Sequence, residues 1–335
     1  MNILITGSCG FIGYFVTLEF LKQNYTVLGV DNLNNFYTPT LKRYRLSKLQ
    51  TFPNYIHLEI DISYKSQLEH LQDFVKKIIK NGIDLVVHLA AYPSVKYSLK
   101  HPQKYIKNNI IATQNLLEFI KNNNNINKKL IIASTSSVYS GNPLPYKEES
   151  YINHFLSPYA YTKFCSENIA KYFHLVHNFS IVVLRYFTVY GPYNRPDMAV
   201  YKFMWNTINQ KPIVIRGKDI SRDFTFVEDA SKATFKAKDL LNHKIFEIIN
   251  IGSDNPIKVV DLVNMIFEVL QKETKVIVGK YESYEPQITW ADISKAKSLL
   301  SYNPSNNLKQ NLYQTYMSLK EYWLSISKQS SKHHT

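Results

Sequence analysis

Short apolar runs alternate with longer segments of helical period through the first half of the chain. Ile3–Ile5 is one such run, apolar at every position, as a strand buried on both faces reads. Phe11, Phe15, Leu18 and Leu21 then recur at helical spacing. Thr26–Val30, ending in Asp31, predicts a second strand, Leu41–Leu49 a basic helical segment, and Tyr55–Ile60 a third strand. Gln67–Lys80 predicts a helix closed by Asn81-Gly82, and Asp84–Ala91 a fourth strand. Gln103–Lys121 is the next helix, stopped by the polar run Asn122–Asn125. Lys129–Ser134 is strand five, Tyr159 to about His177 a long helix introduced by Ser157-Pro158, and Ser180–Leu184 strand six. This alternation predicts an α/β fold, a doubly wound parallel sheet with right-handed crossovers.

From about Arg185 the rhythm changes. Helical periods at Val200–Asn209, Val227–Leu241 and Val259–Leu270 are separated by loops rich in Pro, Tyr and Arg. Short strands are expected near Ile213–Ile215, Phe246–Asn250 and Lys275–Val278. The expected organisation is a sheet domain over residues 1–185, with contributions from about 226–250, and a smaller mixed α/β domain over 186–335. In an open α/β fold the substrate belongs at the carboxyl edge of the sheet, beneath such a second region.

The first turn carries chemistry. Gly7, Gly10 and Gly13 follow the first strand and overlap the start of the helix at Phe11 and Ile12. Gly7 permits the tight turn, Gly10 lets backbone approach a pyrophosphate, and Gly13 lets helix pack against strand, while the helix N-terminus offers N–H groups to the anion. Asp31, ending the second strand, is placed to accept hydrogen bonds from an adenosine ribose, with Asn32 beside it. Asp61-Ile62, at the end of the third strand, is placed either to hold an adenine edge or to cap a helix, as Ser63 also is. Leu89-Ala90-Ala91 ends the fourth strand in small residues beside which a cofactor can pass. The reading is a dinucleotide site.

Composition removes other classes. The chain has 335 residues and two cysteines, Cys9 and Cys165, which make no disulfide framework and fit a reducing, cytoplasmic setting. No apolar run reaches the length of a membrane span, and with Met1 leading directly into the first strand no signal peptide is expected. The net charge of +14 comes from lysines scattered along the chain without a basic stripe, so they are expected to be solvated and nucleic-acid binding is not expected. His174 and His177 have no matching ligands, so no metal site is expected.

Tyr159 and Lys163 stand four residues apart on a predicted helix, hence on one face. A neighbouring ammonium stabilises a phenolate, and such a tyrosine serves as general base toward an alcohol. Thr135, at the end of strand five, offers a hydroxyl to the same place.

A strand-end hydroxyl, a helix with Tyr-x-x-x-Lys and an upstream glycine-rich turn together resemble the extended short-chain dehydrogenase/reductases of the NAD-dependent epimerase/dehydratase family. The resemblance covers nearly the whole chain and is closest to the nucleotide-sugar 4-epimerases, those of UDP-glucuronate in particular. It is carried by Asp31-Asn32-Leu33-Asn34-Asn35-Phe36-Tyr37, by Val95-Lys96-Tyr97-Ser98, by Arg185–Pro192 running on to Ala199, and by Ser221–Asp229. The resemblance implies a Rossmann-type fold, tightly held NAD that is regenerated in each turnover, and a homodimer packed through the Gln103–Lys121 and Tyr159–His177 helices. It implies that Tyr159 takes the C4 hydroxyl proton, Thr135 orients that hydroxyl, and Lys163 lowers the tyrosine pKa and binds the nicotinamide ribose. Thr135, Ser136, Ser137, Thr188 and Arg195 are implied around the sugar carboxylate, and Arg222 at the UDP phosphates. Asp31, with no Arg after it, favours NAD over NADP.

This sequence departs from the pattern at Tyr92-Pro93-Ser94, where Gln-Ala-Gly is usual, at Lys96, where Arg is usual, and at Tyr284-Glu285, where Gly-Asp is usual. Ser136-Ser137 lacks the acid pair of the related dehydratases and the Glu of the uronate decarboxylases. The rival readings are a 4-epimerase of UDP-glucose or UDP-N-acetylglucosamine, disfavoured by Thr188 in place of Asn, and a non-catalytic NAD(H) sensor, disfavoured by the intact Thr135, Tyr159 and Lys163.

Overall fold

A computed structural model describes residues 1–79 and 81–332. In chain order the first elements are β1 (Asn2–Thr6), α1 (Phe11–Lys22), β2 (Thr26–Asp31), α2 (Pro39–Leu49), β3 (Tyr55–Glu59), α3 (Lys65–Ile78) and β4 (Leu85–His88). There follow α4 (Val95–Lys100), α5 (Pro102–Tyr105), a π-helical segment (Ile106–Ile111), α6 (Ala112–Lys121), β5 (Lys129–Thr135), α7 (Pro158–His177) and β6 (Ser180–Tyr186). The remainder is β7 (Thr188–Tyr190), α8 (Ala199–Ile208), β8 (Ile213–Arg216), β9 (Ser221–Phe226), α9 (Val227–Ala237), β10 (Phe246–Ile251), β11 (Pro256–Lys258), α10 (Val259–Leu270), β12 (Val276–Gly279), α11 (Ser294–Leu300) and α12 (Leu308–Lys332).

Seven parallel strands form the main sheet in the order β10-β6-β5-β4-β1-β2-β3. Successive residues of β1 serve opposite faces: Ile3 and Ile5 enter the core beneath α1, α9 and α11, and Leu4 the core beneath α3, α6 and α7. The strand order reverses direction between β1 and β4, which opens a crevice at their carboxyl ends. β6 ends at Tyr186 and β7 begins at Thr188, so the chain passes from the large sheet straight into a three-stranded one, β11-β9-β7. That sheet and the β12-β8 pair share a third core with α8, α10 and α12.

Several boundaries differ from the sequence expectation. β4 stops at His88, so Leu89, Ala90 and Ala91 are irregular backbone at the crevice mouth. The helix expected over Gln103–Lys121 is interrupted by the π-helical segment, where the hydrogen-bond ladder shifts by one residue. α3 begins at Lys65 and ends at Ile78, and the expected end at Lys80 lies outside the described residues. Asp61 does not cap α3: its Oδ1 accepts from the N–H and hydroxyl of Ser63, closing a turn one step earlier.

Beneath the crevice lies a buried ion pair. The Arg185 guanidinium of β6 donates twice to Glu167 of α7, Nε to Oε1 at 3.0 Å and Nη2 to Oε2 at 2.7 Å. Both residues are buried, at 2 % and 4 % exposure, and the Ser134 hydroxyl of β5 donates to the same carboxylate. Nη1 of Arg185 donates to the Tyr139 phenol, which donates to Asn250 of β10. Four elements are thereby tied to one another. Glu167→Ala strands a buried guanidinium and should cost about 3–5 kcal/mol, whereas the apolar double variant Glu167→Leu/Arg185→Met should recover much of it. Urea unfolding of the three proteins reads both, and a single variant within about 1 kcal/mol of wild type contradicts this role.

Candidate active site

The crevice continues into a cavity of about 360 Å³ that runs from the glycine turn to the first residues after β6. Its dinucleotide end is built by close approach. Gly7 has φ +73°, a conformation that favours glycine, and donates its N–H to the Val30 carbonyl at 2.7 Å. A Cβ on Gly13 would lie 2.0 Å from the Gly7 carbonyl oxygen, so any side chain there separates helix from turn. Gly10 is the N-cap of α1 and makes no side-chain cap, which leaves the first N–H groups of a twelve-residue helix facing the cavity with Phe11 and Ile12. Asp31 is 7 % exposed and fastens the turn, accepting from Cys9 N–H at 3.1 Å and Leu33 N–H at 2.9 Å. Asn32 donates to Asp61 Oδ2 at 3.1 Å, and both line the cavity with Ile62, Leu89, Ala90 and Ala91. Cys9 itself is buried, and burial pushes its thiol up to about 12, so the sulfur is inert filler.

The three residues expected to do chemistry all line this cavity. Thr135 is the last residue of β5. Ser157 caps α7, accepting the Ala160 N–H at 3.2 Å, and Pro158 occupies its first turn, so Tyr159 and Lys163 project from consecutive turns. Lys163 is 3 % exposed and has no hydrogen-bond partner among the described residues. Burial pulls its ammonium down to about 8 against the opposing pull of Glu167. A buried donor of this kind at the cavity wall fits a ligand hydroxyl. Tyr159 differs from expectation. Burial raises its phenol, and the groups that oppose this are the Thr135 hydroxyl and the Arg195 guanidinium.

Beside them Ser136, Ser137, Thr188 and Arg195 line the same cavity. The Thr135 hydroxyl donates to the Ser137 hydroxyl and accepts from its N–H, both at 3.2 Å. Arg195 is held by Asp197 through two bonds, Nε to Oδ1 at 2.9 Å and Nη2 to Oδ2 at 2.6 Å, with its guanidinium 5.8 Å from the Phe36 ring centroid. Its Nη1 is not engaged by that pair. Arg222 stands apart: it is not in the cavity wall, and it donates to Glu285 at 3.0 Å and to the Gln287 and Ser221 carbonyls.

Sequence reasoning missed several participants. Asn109, in the π-helical segment, is 1 % exposed; its side chain brackets the backbone of Tyr92, accepting from N–H at 2.7 Å and donating to C=O at 3.1 Å. It also donates to Thr162, the neighbour of Lys163. Ser94 sits at φ +82°, a conformation that favours glycine, and is gripped by the Tyr105 hydroxyl at its carbonyl oxygen. Tyr92 packs its ring 5.3 Å from Phe36, and Tyr105 lies 6.1 Å from Tyr159, forming an aromatic wall. Lys42 is also in the wall at 5 % exposure, its ammonium donating to Asn34. It departs from the expectation that the scattered lysines are solvated.

The sequence profile of the NAD dependent epimerase/dehydratase family matches residues 3–252. A UDP-glucuronate 4-epimerase of Thermodesulfobacterium geofontis is 38% identical over 320 residues, 95% of this chain and 96% of that protein. The crystal structure of a Bacillus cereus UDP-glucuronic acid 4-epimerase with UDP-glucuronic acid and NAD superposes with a TM-score of 0.88 at 36% identity, covering 96% of this chain and 99% of that one. A UDP-glucose 4-epimerase of Thermotoga maritima with UDP-glucose gives 0.84 at 27% identity over 96% and 99% of the two chains.

Lys163 makes a pH prediction. Its ammonium loses its proton near pH 8 when folded, against an ordinary value of 10.5. Between those values the unfolded chain binds the extra proton, so this residue's contribution to stability rises with pH across that window, by up to roughly 3 kcal/mol. In the cofactor-free protein, Lys163→Met should therefore gain on wild type most below pH 8 and lose that margin toward pH 10.5. Denaturant midpoints of both proteins across that range test it; parallel curves contradict it.

Proposed function

This chain belongs to the NAD-dependent epimerase/dehydratase family, and from that premise we propose that its cavity interconverts UDP-glucuronate and UDP-galacturonate. The observation that carries the reading is that Thr135, Tyr159 and Lys163 line one cavity together with Ser136, Ser137, Thr188 and Arg195. It is an NAD-dependent nucleotide-sugar 4-epimerase. When bound, NAD supplies a hydride acceptor that becomes the donor in the second half of the reaction. The glycine turn and the N-terminus of α1 would hold its diphosphate, Asp31 its adenosine ribose and Lys163 its nicotinamide ribose.

Tyr159 accepts the proton of the C4 hydroxyl, which Thr135 orients, and returns it once the sugar has presented its other face. Hydride leaves C4 and the proton leaves its hydroxyl oxygen, and both return to the same atoms, so the reaction needs no outside reductant. Phenolate formation is opposed by burial and assisted by the Thr135 hydroxyl and the Arg195 charge. The uronate imposes a further duty. While C4 is a ketone, the carboxylate lies beta to it and can depart as carbon dioxide. Hydroxyls of Ser136, Ser137 and Thr188 and the free Nη1 of Arg195 would hold that carboxylate by charge-assisted bonds, each contributing on the order of 1.5–3 kcal/mol.

One observation favours the rival reading of a neutral UDP-glucose or UDP-N-acetylglucosamine substrate: Asp197 already offsets the Arg195 charge. We still favour the uronate, because Asp197 uses one edge of the guanidinium and leaves the other free. Arg222 would serve the UDP diphosphate by exchanging Glu285 for it. We further infer a homodimer, because Ile106, Ile111, Tyr161, Tyr172, Leu175 and Val176, on the π-helical segment and α7, are exposed. Among the described residues no helix is long and apolar enough to cross a membrane. Two unpaired cysteines favour the cytoplasm, where the product would serve as an activated uronate for polysaccharide synthesis.

Tyr159→Phe should lower epimerisation by at least about 100-fold while UDP-sugar affinity holds within a few-fold. Near-normal turnover with NAD bound would refute the assignment. In parallel assays the wild type should convert UDP-glucuronate and leave UDP-glucose and UDP-N-acetylglucosamine nearly untouched. Arg195→Ala should lose that activity or release the decarboxylated pentose. Faster conversion of a neutral sugar, unaffected by Arg195→Ala, decides for the rival. Light scattering should give twice the chain mass at micromolar protein; a monomer mass removes the dimer.

A further inference from the structure

Among the described residues the largest fully buried side chain is Arg45 of α2, at 0 % exposure, and no acidic side chain pairs with it. A buried charge without a counter-charge is costly, so its surroundings must make use of it. Three groups accept from it. Nη1 donates to the Cys9 carbonyl at 3.0 Å and to the Tyr37 phenol at 2.6 Å, and Nη2 donates to the Tyr193 carbonyl at 2.5 Å. Nε has no partner, and the guanidinium lies 5.6 Å from the Tyr37 ring centroid.

Each acceptor leads to a different part of the cavity. Cys9 is in the glycine turn, and its N–H is held by Asp31 while its carbonyl is held by Arg45. Tyr37 lines the cavity wall. Tyr193 holds φ +51° two residues before Arg195, so its peptide sets the course of the backbone into the sugar pocket. α12 closes this arrangement from behind: Ser318 accepts the Tyr193 N–H at 3.0 Å, and Glu321 accepts from the hydroxyls of Tyr193 and Tyr44 and from Lys48. One guanidinium therefore joins the turn that would carry a dinucleotide diphosphate to the segment that carries Arg195.

We propose that Arg45 is a positioning residue that couples occupancy of the glycine turn by a dinucleotide diphosphate to the placement of Arg195 in the sugar pocket. This rests on the reading of the cavity as a site for NAD and a UDP-uronate. The diphosphate would bring negative charge to the turn whose Cys9 carbonyl Arg45 holds, which secures the guanidinium against Cys9 and thereby against Tyr193. Arg195 is then held where its free edge meets the sugar carboxylate.

The test is a double-mutant cycle read by calorimetric binding. Full-length protein stripped of cofactor is titrated with NAD, and the NAD-loaded protein with UDP-glucuronate and with UDP. The proteins are wild type, Arg195→Ala, Arg45→Met and the double variant, with melting curves to establish folding. In the wild-type background Arg195→Ala should weaken UDP-glucuronate about tenfold or more, because charge-assisted bonds are lost. In the Arg45→Met background the same change should cost less than about twofold, since residues acting through one another are non-additive. UDP affinity should move less than about threefold throughout, which a general loss of structure does not allow. Arg45→Lys keeps the charge but cannot reach Cys9 and Tyr193 together. It should restore NAD affinity without restoring the Arg195 response, and it carries the cycle if Arg45→Met does not fold. Equal costs of Arg195→Ala in both backgrounds overturn the coupling while leaving the uronate reading intact. No effect of Arg195→Ala in otherwise wild-type protein sinks the uronate reading and the coupling with it.

Discussion

The geometry of the cavity depends on an ion pair that never touches it. Arg185 and Glu167 meet beneath the crevice, and Ser134 donates to the same carboxylate, so β5, β6 and α7 share one fastening. Thr135 is the next residue after Ser134, and Lys163 lies one helical turn from Glu167. The relative height of strand end and helix is thus fixed from below, where no ligand competes. Such a pair is expensive to bury and earns its place only when every donor is satisfied. Here the two-point geometry and the additional hydroxyl meet that condition. Because Glu167 is committed to Arg185, its hold on Lys163 is partial, and burial prevails in bringing that ammonium down to about 8.

The charge pattern follows the same logic. Lys42, Arg45, Lys163 and Arg185 are all buried, and only Arg185 has a carboxylate partner among the described residues. Proteins seldom bury cations in this way without an anion in prospect. A dinucleotide and a nucleoside diphosphate sugar together bring several negative charges. The +14 balance of the chain therefore has a structured component close to the site as well as a solvated one.

Much of this was legible in the sequence because its signals are local. Apolar runs and helical periods mark the sheet and its covering helices, and the glycine turn, Thr135 and the Tyr159/Lys163 spacing each fit within a few residues. What escaped is tertiary or short. β7 and β11 have three residues each, too few for a period to register. α12 mixes polar and apolar positions and owes its place to packing against α10. A π-helical turn differs from an α-helical one by a single residue of register, which no apolar spacing over six residues reveals. The bond between Arg222 and Glu285 spans sixty-three positions, and the burial of Arg45 depends on a loop almost 150 residues away. Even Arg195, which the family resemblance put beside the sugar carboxylate, gave no sign that Asp197 would take one edge of it.

The position of β10 has a consequence for how the chain is made. β6 lies between β5 and β10, yet β10 is synthesised only after β7, α8, β8, β9 and α9. A nascent chain that has emerged from the ribosome as far as Ala237 has formed most of the nucleotide-binding layer but shows an open, apolar strand edge in β6. Unpaired edges of this kind recruit other strands. The β6 edge is therefore covered only when the late segment pairs with it as β10. A gene truncated before Ile251 would encode a polypeptide prone to cluster on the polysome, and not a smaller nucleotide-binding protein.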